Sequence, residues 1–268
     1  MFRKLFLPLR ILGAIAFWLI LVSASWVGLL GLCNPPVTWV MVEQSIEQDE
    51  FHRRNMRLEE IARAMPLAVI SSEDQRFMTH HGFSTKQIKQ SLGMKEPGFS
   101  FTEFVQAALN KKQGKRTKGA STISQQTAKN VFLWPGRNKL RKGLEAWFTI
   151  LIEALWTKER ILEVYLNVAE MGKGVFGAEA AAQQCFGKSA ARLTAEQAAL
   201  ITVTLPSPRR FSCARPSAYV RNRQHWVLRQ MRHVGDVLDP EVLARRKAKI
   251  EAEEKREAER EERRRKKK

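Results

Sequence analysis

Glu73-Asp74-Gln75-Arg76-Phe77, with His80 and Gly82 just beyond it, closes an apolar run, Pro66-Leu67-Ala68-Val69-Ile70. A run of that composition belongs in a core, so the acidic pair sits where a helix leaves it. A carboxylate at such a boundary is partly desolvated, which raises its pKa and lets it exchange protons near neutral pH. Further along come Gly119-Ala120-Ser121-Thr122-Ile123-Ser124-Gln125-Gln126, Lys129-Asn130 and Arg141-Lys142-Gly143-Leu144-Glu145. Two carboxylates separated by dense cations and amides point to acid/base chemistry on an anionic substrate.

The chain has 268 residues, enough for one domain with a full core plus extra segments. Its formal net charge of +19 favours an anionic partner: nucleic acid, a membrane surface or a phosphorylated substrate. Charge alone ranks nucleic acid first, and the N-terminus changes that ranking. Residues 11–32 contain no charge, and as a helix they reach roughly 33 Å at about 1.5 Å per residue, enough to cross a bilayer core. Arg3, Lys4 and Arg10 precede this run and Pro35-Pro36 follow it. The positive-inside tendency then places the N-terminus in the cytoplasm and everything after Cys33 outside. The expected arrangement is a single-pass membrane protein whose domain after the helix is extracytoplasmic. Trp18, Trp26 and Trp39 suit the membrane interfaces. Ser23-Ala24-Ser25 offers a small-residue cleavage site, the alternative of a signal peptide. The apolar run continues past Ser25 and favours an uncleaved anchor, and bulky Leu32 before Cys33 argues against a lipoprotein signal.

Three cysteines, Cys33, Cys185 and Cys213, with no C-x-x-C, do not make a disulfide scaffold or zinc ribbon. Cys185 and Cys213 are read either as a pair in an oxidising compartment or, the favoured reading, as small buried apolar side chains.

Along the chain, residues 40–55 read as a juxtamembrane helix close to the lipid. Residues 84–118 carry Gly93, Pro97, Gly98, Gly114 and the basic run Lys111-Lys112-Gln113-Gly114-Lys115-Arg116. They read as a solvated loop or as one that faces lipid or gates substrate. Thr122 with Gln125, and Thr194 with Gln197, have capping-box spacing. Amphipathic helices are expected over 145–156, 158–171 and 219–234. Strong strand signals are absent. The expected organisation is a cytoplasmic 1–10, a transmembrane helix 11–32, an all-α domain over 40–235, and a charged low-complexity tail 236–268, solvated helix or disordered.

Taken alone, Glu73 is a general acid or base, or a surface carboxylate paired with Arg76. Gln125, Gln126 and Lys129 line a sugar- and phosphate-binding face, or simply begin a helix. Arg137, Arg141 and Lys142 flank Glu145 as surface ion pairs, or in a cleft neutralise a phosphate leaving group. His80-His81 lack the companions a metal site needs, so a structural role is favoured and no metal site is expected.

The ordered set resembles the family 51 glycosyltransferases, the peptidoglycan transglycosylases. The matching motifs are Glu73-Asp74-x-x-Phe77-x-x-His80-x-Gly82, then Gly119-Ala120-Ser121-Thr122-Ile123-x-Gln125-Gln126-x-x-Lys129-Asn130, then Arg141-Lys142-x-x-Glu145, then Lys158-x-x-Ile161-Leu162-Glu163-x-Tyr165-Leu166-Asn167, with Gly177, Ala180-Ala181 and Phe186-Gly187-Lys188 after them. The resemblance implies a lysozyme-like helical domain at the membrane. It implies lipid II as substrate, β-1,4-linked glycan as product, and undecaprenyl diphosphate leaving with inversion. It makes Glu73 the base that deprotonates the acceptor 4-hydroxyl and Glu145 the donor-side carboxylate. Gln125, Gln126, Lys129 and Arg137 fall at positions that contact donor sugars and diphosphate. Arg141 and Lys142 add positive potential, Ser121 and Thr122 shape the cleft, and His80 and Asn130 act as supports.

No cofactor is required, and Mg²⁺ or Mn²⁺ at the donor diphosphate stays open. The expected partners are lipid II, the growing glycan strand, the membrane and cell-wall synthesis proteins, not nucleic acid. With neither S-x-x-K nor K-T-G, the resemblance is to family members lacking a transpeptidase domain. A lytic muramidase of similar fold and a basic membrane-tethered scaffold or nucleic-acid binder are the rival readings.

Overall fold

A computed structural model describes residues 2–48, 52–83, 121–136 and 138–265. Helix α1 (Phe2–Leu32) contains an apolar stretch, Arg10–Leu32, long enough to cross a bilayer. The two prolines end it, and Thr38 caps α2 (Trp39–Gln48) by accepting from the Met41 N–H at 3.4 Å. The expected helix over 40–55 therefore stops at Gln48. His52–Arg53 form instead a short strand, β1, that pairs with a segment far along the chain. Local periodicity carries no record of such a pairing.

Next comes α3 (Ala64–Glu73), which buries Met65, Pro66, Ala68, Val69, Ile70 and Ser71. Helices α4 (Ile123–Phe132), α5 (Lys139–Leu155) and α6 (Lys158–Val168) follow. Side-chain oxygens of Thr122, Asn138 and Thr157 accept N–H groups in their respective first turns, satisfying donors that a bare helix start leaves orphaned. Both expected capping boxes form; the second, Thr194 with Gln197, starts α8 (Ala195–Thr202).

Helix α6 is the centre of the domain. Ile161, Leu162, Val164, Tyr165 and Leu166 are all fully buried, and a helix whose apolar residues lie this deep after a charged first turn belongs in a core. It ends at Val168, short of the expected 158–171, because Glu170–Gly172 leave it as β2 and pair antiparallel with β3 (Val175–Phe176). The sheet order is β1-β3-β2. Asn167 ties this corner down: its amide donates to Met56 O at 2.8 Å and its Oδ1 accepts from Met56 N–H at 2.8 Å. The three strands are two or three residues long, so the all-α reading holds.

Helices α7 (Ala178–Phe186), α8, α9 (Ala218–Val234) and α10 (Pro240–Arg265) complete the described chain. Helix α3 packs between α8 and α9, and α4 packs on α5 and α6. The charged tail is a helix, attached to the domain by Arg76–Glu254 at 2.7 Å. Cys185 and Cys213 form a disulfide, with Cα atoms 5.6 Å apart. That corrects the favoured reading of two small apolar side chains: it is the fold that brings the end of α7 against the segment after α8.

The outer part of α1 belongs to the same core. Val27 and Leu30 are buried in it. Trp156 Nε1 donates to Val27 O at 2.8 Å, and Arg160 donates to the carbonyls of Leu30 at 3.0 Å and Cys33 at 2.6 Å. Trp147 Nε1 on α5 donates to Ser23 Oγ at 3.2 Å. Trp26 meets Phe132 edge-on at 5.2 Å, and Phe132 stacks on Phe148 at 4.5 Å. Gly31 permits this approach, since a Cβ there would lie 3.0 Å from the Trp156 indole.

Candidate active site

The end of α3 and the start of α4 are fastened together by Asp74. This residue leaves the helical conformation as the C-cap of α3. Its buried Oδ2 accepts from His80 Nε2 at 2.8 Å and from the Ile123 N–H, in the first turn of α4, at 3.1 Å. A carboxylate at a helix N-terminus is favourably placed against exposed N–H groups and the helix dipole. The Gly82 N–H donates to His80 Nδ1 at 3.0 Å, so the hydrogen-bond network assigns the ring proton to Nε2. Thr122 Oγ1 closes the loop by donating to Gly82 O at 2.7 Å. Gly82 has φ 84°, and a Cβ there would sit 2.9 Å from Glu153 and Thr149 carbons. The spacing of acid, histidine and glycine is therefore a clamp, and His80 is part of it.

Glu73, the residue before the clamp, is half-buried. Its Oε2 accepts from Gln126 Nε2 at 3.1 Å, and Tyr165 Oη donates to Gln126 Oε1 at 3.2 Å. Burial raises the pKa of Glu73 above the usual carboxylate value, and neighbouring Asp74 adds to the rise. The hydrogen bond from Gln126, the positive charge of Arg223 and a bond from Ser72 work against it without cancelling it. Asp74 and Glu73 thus differ in environment: the first is held in the clamp by His80 and the α4 backbone, and the second is desolvated beside Gln126 and Ser72.

A second charged group lies on α5. Glu145 is 4% exposed. Its Oε2 lies 3.4 Å from Arg141 Nη1, and its Oε1 accepts from Lys142 Nζ. The three residues share one helix face at i, i+3 and i+4 spacing. The surface-pair alternative fails for Arg141 and Glu145, because both are buried. Arg141 Nε is buried with no hydrogen-bond partner among the described residues.

The other sequence-derived site residues divide by position. Gln126 joins Glu73. Thr122 and Gln125 are buried and spend their side chains on the capping box: Thr122 N–H donates to Gln125 Oε1 at 3.0 Å and Gln125 N–H to Thr122 Oγ1 at 3.1 Å. Ser121 is exposed just before the cap, and its carbonyl lies 3.5 Å from Gln126 Nε2. Lys129 is exposed on α4, one turn beyond Gln126. Arg137, Gly119, Ala120, the loop over 84–118 and Lys266 to Lys268 lie outside the described residues. Arg76 pairs with Glu254, so the reading of Glu73 as its surface partner fails.

Two contributors were not assigned a role from sequence. Tyr165 was only a motif letter on a core helix. Arg223 was one cation among many on α9, yet it reaches Glu73 electrostatically while stacking on Trp226 at 3.6 Å. The signal for Arg223 was the Arg–Trp pair at i, i+3 spacing. No group of three or more His, Cys, Asp or Glu side chains is arranged to hold a metal among the described residues.

The described residues thus form a helical domain continuous with a membrane-length helix, carrying a carboxylate of raised pKa at the end of α3 and a buried carboxylate between two cations on α5. The family model described as Transglycosylase matches residues 40–95 and 93–232. The chain belongs to that family, and its fold is the lysozyme-like glycosyltransferase fold. It is 46% identical over 241 residues to a Pseudomonas aeruginosa protein called biosynthetic peptidoglycan transglycosylase, covering 88% of this chain and 94% of that one. A Xanthomonas campestris protein of the same name is 45% identical over 213 residues, 77% of this chain and 80% of the relative. A Pseudomonas entomophila protein, also so named, is 46% identical over 233 residues, 85% and 92% of the two chains.

Proposed function

We infer that this chain is a peptidoglycan glycosyltransferase that polymerises lipid II into β-1,4-linked glycan strands. The observation that carries the mechanism is Glu73, half-buried, with Oε2 held by Gln126 and its pKa raised. In this reading Glu73 takes the proton of the acceptor sugar's 4-hydroxyl. The freed oxygen forms a bond to the donor's anomeric carbon from the opposite face as the bond to diphosphate breaks. Undecaprenyl diphosphate leaves with the electron pair, and configuration inverts. Positioned cations stabilise the charge that develops on such a leaving group. The buried Arg141 and its neighbour Lys142, beside Glu145, supply that charge, with Lys129 and Arg137 as further contacts to the donor. A divalent cation, Mg²⁺ or Mn²⁺, would add charge at the diphosphate using the diphosphate's own oxygens and water.

The membrane reading rests on α1. A hydrocarbon core of about 30 Å takes about 20 helical residues, and Arg10–Leu32 supplies 23. The docked part, from Ser23 onward, then forms the outer end of the span, and Trp147 and Trp156 bring one side of α5 against it. That accounts for apolar side chains left open on α5, with Leu140 at 68% and Leu155 at 51% exposure. Arg3, Lys4 and Arg10 favour a cytoplasmic N-terminus. A disulfide favours an oxidising compartment for the domain, on the periplasmic side of the inner membrane. The substrates are lipid II and the growing strand, and cell-wall synthesis proteins are its expected company there.

The test is incubation of the purified full chain with labelled lipid II in detergent, beside Glu73→Gln, with products resolved by gel. A glycan ladder that disappears in the variant while lipid II binding persists supports the reading. Comparable turnover in the variant removes Glu73 from the role of base.

A further inference from the structure

Tyr165 has no exposed surface, yet its hydroxyl reaches a half-buried amide at the site, Gln126 Oε1, at 3.2 Å. Burial and the nearby charge of Glu73 hold its pKa well above the usual phenol value, so the hydroxyl stays a donor. On the other end of the same amide, Gln126 Nε2 faces two acceptors, Glu73 Oε2 at 3.1 Å and the Ser121 carbonyl at 3.5 Å. The two ends of a glutamine amide are nearly equal in shape and opposite in hydrogen-bonding sense. Only one orientation satisfies all of these neighbours, and the reverse would point an oxygen at a carboxylate.

We propose that Tyr165 is a positioning residue for polymerisation: its buried hydroxyl fixes the Gln126 amide so that Nε2 holds Glu73 Oε2 and orients the carboxylate toward the acceptor hydroxyl. The proposal rests on Glu73 being the base. It assigns Gln126 to the base rather than to the donor's sugar alone. Four elements surround Glu73. Its own α3 end supplies Ser72 and Asp74, α4 supplies Gln126, α6 supplies Tyr165, and α9 supplies Arg223. Lys158 acts on Asp74, one position removed. Of these, Tyr165 touches Glu73 through Gln126, so deleting its hydroxyl alters the amide's orientation while leaving every formal charge in place.

The experiment is the pH dependence of kcat/KM on lipid II for the full chain and for Tyr165→Phe, Gln126→Ala and the double variant. A weakened donor to the ionised base raises the pKa of that base, so the acid limb in Tyr165→Phe moves to higher pH. One neutral hydrogen bond changes an equilibrium by about two- to tenfold. The rate should fall by about that factor on the acid side and converge with the parent on the alkaline plateau. Gln126→Ala should shift in the same direction, and the double variant should show no shift beyond Gln126→Ala. An unmoved acid limb in Tyr165→Phe, or additive shifts in the double variant, would overturn the proposal. The chain has two tyrosines, so fluorotyrosine in a Tyr219→Phe background labels position 165 alone and keeps its hydroxyl. A stronger donor should move the acid limb to lower pH, and no movement counts against the relay even if Tyr165→Phe does not fold. Glu73→Gln in the same assay separates the two levels: if it stays active the base assignment fails, whatever Tyr165 does.

Discussion

Gly28 and Gly31 sit one turn apart on α1, and their surroundings differ. A Cβ at Gly28 would meet nothing within 4 Å, whereas one at Gly31 would lie 3.0 Å from both Cδ1 and Nε1 of Trp156. Replacing either by alanine removes backbone freedom of the same kind, so the propensity gains, up to about 1 kcal/mol each, largely cancel in the comparison. What remains is the contact. Trp156 cannot yield freely, because it is 7% exposed and its Nε1 is committed to Val27 O at 2.8 Å. Insertion of a methyl group into a packed site of this kind costs about 1–3 kcal/mol. For a domain of this size, that corresponds to about 2–12 °C in melting temperature. The assay is thermal unfolding of the full chain in detergent at one scan rate, comparing Gly28→Ala with Gly31→Ala. Gly31→Ala should melt lower by that margin, and Gly31→Leu lower still. Equal melting temperatures would falsify the docking of the anchor onto the domain. The same pair measured for polymerisation in vesicles asks a further question. Trp147, two residues after Glu145, holds Ser23 of the anchor, so an undocked anchor should lower activity beyond the loss of stability.

Glu73→Gln should raise stability while abolishing turnover. A carboxyl whose pKa is higher folded than unfolded binds extra protons in the native state, so its ionisation costs stability as pH rises from the unfolded value through the folded one. With the pKa of Glu73 raised mainly by burial, the neutral amide should melt higher than the parent at neutral pH and match it in acid; a lower melting temperature at neutral pH would contradict the desolvation argument. Glu145→Ala should destabilise by about 3–5 kcal/mol, because it strands the buried Arg141 charge. The Arg141→Ala, Glu145→Ala double variant should lose less than the sum, and chemical denaturation of the set measures this. Replacing both Cys185 and Cys213 by serine opens a 28-residue separation and should cost about 3–4 kcal/mol on the chain-entropy account. Free-thiol counting on the unfolded parent checks the bond directly, and two extra reactive thiols without reductant would refute it.

The parts of the fold that were legible in the sequence are those written in local chemistry. Capping boxes at Thr122 and Thr194 formed where their spacing placed them, because a side-chain oxygen and the N–H groups it serves lie within one turn. The apolar run before Glu73 became the buried face of α3 for the same reason. Errors arose where a distant segment decided the outcome. Helix α6 stops at Val168 because Glu170–Gly172 find β3, and β1 at His52–Arg53 exists only through the same strand. At the site, motif letters told which residues gather but not what each side chain does. Gln125 and Gln126 are neighbours of identical chemistry. One is buried in a cap and the other holds Glu73, because successive helical positions point about 100° apart and only Gln126 faces the end of α3. Asp74 and Glu73 separate in the same manner. A backbone N–H and His80 claim the first, while the second stays half-buried beside Gln126 with its pKa raised by burial. The two adjacent acids are therefore better understood as one clamp residue and one desolvated carboxylate than as two candidates for one role, and neutralising each in turn makes the difference measurable. Asp74→Asn should lose stability, since an amide replaces the acceptor at the α4 N-terminus, while Glu73→Gln should gain it.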